Sequence, residues 1–278
     1  MRNNQRRASA RTRPAARAKA KQATVLSYEV PTEFVELPSR GAFYPPGHPL
    51  QNVEKVEIRF MTAKEEDILS SETLITEGVA IDRFLESIMI DDVDPATLLV
   101  GDRSAIMIAA RISGYGSLYE VNLTCPRCTH ENDMAFDLGE KEVRDRCFDE
   151  EFMSDNSVVI NDDGLVETVL PVSNFKVQLR MLTAISQDEY ANIIANAQDG
   201  NIVTSSLSLL IEKINDCDDR VQIDDVIQNL PAKDSRFIRS LFPKITPAVE
   251  LKKDFRCKKC GHQQEMEVPL TAAFFWPR

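Results

Sequence analysis

The sequence predicts an α+β protein in which two related helix-rich modules share a split four-cysteine zinc ribbon, preceded by a disordered basic tail. Three observations predict it: two C-x-x-C pairs with matching flanks, matching segments upstream of each pair, and strand-like alternation interleaved with helix-like periodicity in both halves. The expected divisions are a tail over 1–27, a Pro/Gly-rich arm over 28–52, a first module over 53–138, an acidic linker and hairpin over 139–173, and a second module over 174–278.

At 278 residues the chain can bury a substantial core without disulfide help. No run of about 18 apolar residues suggests a membrane span, and the first residues lack a secretory apolar stretch, so a soluble protein made in a cytosol is expected. The formal net charge of -11 is unevenly distributed. Residues 1–22 carry eight Arg and Lys and no acid, which leaves a body of about -19 that repels polyanions. The tail reads as a disordered segment lying on an acidic partner, as an arm contacting nucleic acid, or as a transit peptide.

In the arm, VELPSRGAFYPPGHPLQNV interrupts regular structure with turn formers and places Phe43 and Tyr44 between them. It is either a packed extended segment or a surface that docks a partner. His48 lies there with no second catalytic group nearby and reads as structural. VEKVEIRFM then alternates like a strand, and Thr62 followed by Glu65 is a capping-box signature for a helix at KEEDILSS. GVAIDRFLESIMI has a helical pattern, and Asp94-Pro95 opens the turn into the apolar helix of SAIMIAARI.

The first cysteine pair, Cys125 and Cys128, lies between the alternating segments VNLT and MAFDL. The second, Cys257 and Cys260, follows KKDFR. Two such knuckles present four thiolates to one ion, which suits tetrahedral zinc. The 128 intervening residues are a wide separation, but the flanks match: His130 and His262, Met134 and Met266, and Leu138 and Leu270 fall at equal distances from their knuckles. Two separate His-completed sites would lack ligands, a disulfide framework does not suit a reducing cytosol, and redox C-x-x-C pairs usually precede a helix. The expectation is one structural zinc per chain, with Cys147 and Cys217 as free thiols. Four thiolates leave a metal no open position for catalysis.

Upstream, Asp102 aligns with Asp234 and Ile106 with Ile238 at the knuckle offset of 132, while IRFMTA (58–63) aligns with LRMLTA (179–184) at 121. One longer connection in the second half accounts for the difference. There VSNFKVQLRML reads as the strand, and SQDEYANIIANA, SSLSLLIEKIND and IDDVIQNL as helices, with Ser186 and Glu189 at capping spacing. Between the halves an acidic stretch is expected to be exposed, with Asp162-Asp163-Gly164 as a hairpin turn. At the end Phe274, Phe275 and Trp276 are adjacent and therefore not periodic. They either wrap around the body or anchor a neighbouring subunit.

No phosphate-binding glycine loop, serine-elbow motif or HExxH is present, and with three histidines acid–base chemistry has few candidates. No enzyme and no small-molecule substrate is expected.

LPSRGAFYPPG, MTAKEEDIL, LLVGDR, ARISGYGSLYEVNLTCPRC and CKKCGHQQEMEVPLTAAFFWP together resemble the baseplate hub family of T4-like contractile-tailed bacteriophages, over roughly residues 28–277. The resemblance implies a virion or assembly protein of the tail baseplate hub, made in the host cytoplasm and not an enzyme. Its partners would be other baseplate hub or central tail proteins. No catalytic residues carry over, and the arginine-rich tail departs from the family pattern. The rival is a nucleic-acid-binding zinc ribbon that uses the tail with Lys252, Lys253, Arg256, Lys258 and Lys259. Against it, Arg127 is the sole base near the first knuckle, beside Glu131 and Asp133.

Overall fold

The computed structural model describes residues 28–195, 201–268, 270 and 272–276, and the expected basic tail lies outside them. Strand β1 (Thr32–Glu36) runs antiparallel to β2 (Lys55–Arg59), with Val35 beside Val56. Val35, Val56 and Ile58 turn into the core, as the alternating pattern requires. Thr62 and Glu65 form the expected reciprocal capping box at the start of α1 (Ala63–Ser70). After α2 (Glu72–Thr76), helix α3 (Ala80–Ile88) buries Phe84, Leu85 and Ile88 at helical spacing. The chain leaving α3 returns beside β2, where Met89 bridges Ile58.

Asp94 caps a single 3-10 turn, Pro95–Thr97, and α4 (Val100–Tyr115) follows. The helix crosses so closely to Pro247 that a Cβ on Gly101 would overlap that residue's carbonyl. Strands β3 (Leu118–Thr124) and β4 (Glu131–Asp137) then form an antiparallel hairpin in register from Leu118–Asp137 to Thr124–Glu131.

Residues 139–173 are more structured than their acidic composition suggests. They contain β5 (Glu142–Arg144), α5 (Glu150–Asp155), β6 (Val159–Ile160) and β7 (Val166–Val169), with Cys147 and Val158 buried. The turn between β6 and β7 closes through bonds from Gly164 N to Asn161 O and from Asn161 N to Leu165 O, both 3.0 Å. Gly164, at φ +77°, lies against the Phe43 and Tyr44 backbone, where a side chain would collide.

Strand β7 pairs with β8 (Lys176–Leu179), and with β9 (Ile211–Ile214) they make one antiparallel sheet in the order β6-β7-β8-β9. Between β8 and β9 lie α6 (Ala184–Ala195) and α7 (Ile202–Leu210). Two expectations need correction. IEKI is a strand and not the end of a helix, because β8 needs a partner and Val177 pairs with Ile214. The cap of α6 is Thr183, whose N–H donates to Ser186 Oγ at 2.8 Å, so Ser186 sits at the third helical position.

Helices α8 (Arg220–Gln228) and α9 (Ala232–Ile245) lead to β10 (Ala248–Glu250) and to the hairpin of β11 (Lys252–Arg256) with β12 (Gln263–Glu267). Each half sends its last segment onto the other. Beyond the first hairpin, β5 pairs with β10. Beyond the second, a 3-10 turn at Ala272–Phe275 carries Phe274 and Phe275 to Phe84 and Tyr119 of the first half. Buried residues from both halves form one contiguous core.

Candidate metal centre

Both knuckles close with the same backbone turn. Cys125 N donates to His130 O and Thr129 N to Cys125 O, each at 2.9 Å; Cys257 N donates to His262 O at 2.9 Å and Gly261 N to Cys257 O at 3.0 Å. The fifth residue of each turn is left-handed, Thr129 at φ 54° and Gly261 at φ 69°. A threonine pays strain there that the glycine avoids. The turn folds the chain back so that both sulfurs of a pair point the same way.

The two hairpins, far apart in sequence, meet at their tips. Cys125 Sγ lies 3.7 Å from Cys260 Sγ and Cys128 Sγ 3.6 Å from Cys257 Sγ. All four sulfurs fall within 4.8 Å of one another. These separations are far beyond the roughly 2.05 Å of a disulfide, and all six cysteines are free. Cys125 and Cys257 are buried, Cys128 is half-buried and Cys260 exposed. This set can hold one metal ion.

The thiols are not equivalent. Burial raises the Cys257 thiol, but backbone N–H groups of Cys260 and Lys259 and the Cys128 and Cys260 thiols outweigh it and bring it down to about 6. At Cys128 the His130 backbone lowers the thiol, while burial and its three cysteine neighbours push it up to about 12. A thiol held below its ordinary value more readily supplies the thiolate that a cation binds.

The expected docking aromatics are mostly committed to the chain's own core. Phe274 and Phe275 are 0 % exposed; Phe274 meets Tyr119 at 5.0 Å and Phe275 meets Phe84 at 4.6 Å between ring centroids. Phe43 is buried beside Phe148, and Tyr44 is buried with His48 stacked on it at 4.3 Å. Phe274 and Phe275 lie as the wrapping alternative has them and Phe43 and Tyr44 as the packed-segment alternative has them, all four buried within this chain. Trp276 is 36 % exposed and is the aromatic of that group open to a partner.

Two polar residues that the sequence reading passed over are central here. Arg111 is 1 % exposed in the apolar stretch of α4; its Nε donates to Phe274 O at 3.1 Å and its Nη1 to Gly116 O at 3.1 Å, with its guanidinium over the Tyr115 ring. A charge inside IMIAARI was a visible signal, although its partner was not. Asn132 is 2 % exposed and reaches from the first hairpin to the second knuckle. Nothing in its local sequence marks it.

The fold and site define a mixed helix–strand protein whose two halves meet at a four-cysteine cluster suited to a metal ion. The model of the T4 bacteriophage base plate protein family matches residues 31–276, so the chain belongs to that family. No curated protein and no solved structure matched the chain. Membership implies a phage baseplate component of the virion tail, with other phage structural proteins as partners and a structural role. Among the described residues no helix is long and apolar enough to cross a membrane.

Proposed function

We propose that the chain is a structural or assembly component of the baseplate hub, in which one zinc per chain clasps two duplicated modules and holds rigid a surface that docks other hub subunits. One observation carries the reading: four sulfurs from two distant hairpins converge within 4.8 Å. A tetrahedron of thiolates at the usual zinc–sulfur distance of about 2.3 Å has edges of about 3.8 Å. The observed 3.6 and 3.7 Å lie close to that edge. Closing the long intervening loop costs entropy that grows only logarithmically with its length, so a strongly bound ion overcomes it.

Support for duplication comes from hydrogen bonds and not from the knuckles alone. Arg59 and Arg180, equivalent at the offset of 121, each donate to a carbonyl near the end of a later helix, Ser87 O of α3 and Leu209 O of α7. Asp102 and Asp234 each occupy the third position of the helix before the knuckle and bind the segment after the first strand, at Ser39 and at Val172 with Ser173. The β1–β2 pair corresponds to β7–β8, so we extend the modules upstream to begin at β1 and at β7. The insertion in the second module then coincides with α8, which stands where the first has a single 3-10 turn.

The nucleic-acid reading is not favoured. Around the second knuckle Lys252 pairs with Glu250 at 2.8 Å, and Lys253 donates to Ala135 O at 2.6 Å over the Phe136 ring. These cations serve the ribbon and the acidic body. Protein lacking residues 1–22 should show no salt-dependent retention on DNA; strong retention overturns the hub reading. Mass spectrometry of purified virions distinguishes a permanent hub component, which it should detect, from a factor that leaves after assembly.

A further inference from the structure

We propose that Asn132 is the positioning residue that couples the two knuckles, locking the second cysteine pair in its metal-holding geometry from the first hairpin. The inference rests on the zinc reading above. Asn132 Oδ1 accepts from Lys258 N at 2.8 Å, while Nδ2 donates to His130 O at 2.9 Å and approaches Cys257 Sγ at 3.8 Å. A backbone N–H can only donate and a carbonyl only accept, so these contacts fix the amide's orientation without ambiguity. One side chain thus braces its own knuckle, caps an amide inside the other knuckle, and offers an N–H to a metal-ligating sulfur.

An N–H donor to a thiolate disperses negative charge that four sulfurs around one cation accumulate, and it fixes the direction of the sulfur lone pairs. The brace works in a dry place, since Asn132 is 2 % exposed and Cys257 is buried as well. The corresponding position in the second hairpin, Gln264, is exposed and its Oε1 lies 3.1 Å from His262 Nε2, within its own knuckle. At this pair of positions the brace is therefore one-sided, running from the first hairpin to the second knuckle. Cys257, held by Asn132, is the secured ligand, and exposed Cys260 is where a competing chelator gains entry.

The test is zinc release from the full chain to a chromophoric chelator, compared among wild type, Asn132→Ala, Asn132→Asp and Gln264→Ala, with circular dichroism as a check of fold. Asn132→Ala should release zinc about 10–100-fold faster, the usual range for loss of an outer-shell partner. Asn132→Asp keeps the acceptor for Lys258 N, loses the N–H to sulfur and adds a negative charge; it should also release faster, and it decides the matter if the alanine variant does not fold. In both, the cobalt-substituted protein should show a shifted sulfur-to-metal charge-transfer band. Gln264→Ala should behave as wild type. Wild-type protein without bound zinc overturns the metal reading itself. Slow release and an unmoved cobalt band in the folded Asn132 variants overturn this inference alone.

Discussion

Asp102 and Asp234 each stand third in the helix that precedes a cysteine hairpin, yet their surroundings differ. Each is fully buried three residues into its helix, where a negative side chain suits the helix N-terminus. Asp234 accepts from Val172 N at 2.8 Å and Ser173 N at 2.9 Å and is bonded by the Ser173 hydroxyl as well, with no tyrosine among its partners. Asp102 accepts from Ser39 N at 3.0 Å, Ser39 Oγ at 2.5 Å and Tyr44 OH at 2.9 Å. The long loop over 37–54 supplies that tyrosine, whereas the tight 170–175 connection has room for a turn only. Under the duplication proposed above, the connections rather than the helix starts give each half its own chemistry.

Several changes break or sharpen that comparison. The largest effect is expected where one half completes the core of the other. Phe275→Ala should cost roughly 3–5 kcal/mol in urea unfolding, because its ring is enclosed against Phe84 and the crossing segment cannot collapse onto the cavity. Removing the shared carboxylate comes next. Asp234→Ala strands two backbone N–H groups and should cost roughly 2–4 kcal/mol by the same measurement.

Acidity separates the halves further. Burial raises the Asp102 carboxyl more than the bonds from Ser39 and Tyr44 lower it, so its folded pKa lies above the ordinary value. At Asp234 burial is outweighed by the Ser173 and Val172 bonds and by Lys233, so its folded pKa lies below. The Asp102 contribution is complete below the unfolded aspartate pKa and is lost as pH rises through its folded pKa. The Asp234 contribution is present above the unfolded pKa and is lost as pH falls through its folded pKa. Urea midpoints measured against pH should therefore lose part of their acid-side decline in Asp234→Asn, and decline more steeply toward acid in Asp102→Asn. The smallest effect is expected at the surface: Trp276→Ala should change stability by less than about 0.5 kcal/mol while weakening assembly into tail baseplates.

Much of the frame was legible because it rests on local rules. The Thr62–Glu65 box and the alternation of VEKVEIRFM need no distant partner to be recognised. The four cysteines were legible because a knuckle has a strict spacing, and their convergence followed from the matched flanks. Where distant pairing decides, local pattern misleads. IEKI is compatible with a helix until β8 claims it as an edge partner, and the acidic stretch looks solvated until Gly164 is seated against Phe43. Phe274 and Phe275 gave no periodicity because a single 3-10 turn directs both rings inward. Asn132 was illegible because its partner, Lys258, is separated from it by nearly half the chain.

The central claim, that a single metal ion joins the two halves, is tested most directly by measuring zinc per chain in the purified protein together with the thermal unfolding of wild type and Cys128→Ser. The account predicts about one zinc per chain in wild type, loss of the ion in the variant, and a fall in stability on the order of 4 kcal/mol, as for a ligand held at a thousand times its Kd. Purified wild type with no bound metal, or a Cys128→Ser protein as stable as wild type, contradicts it.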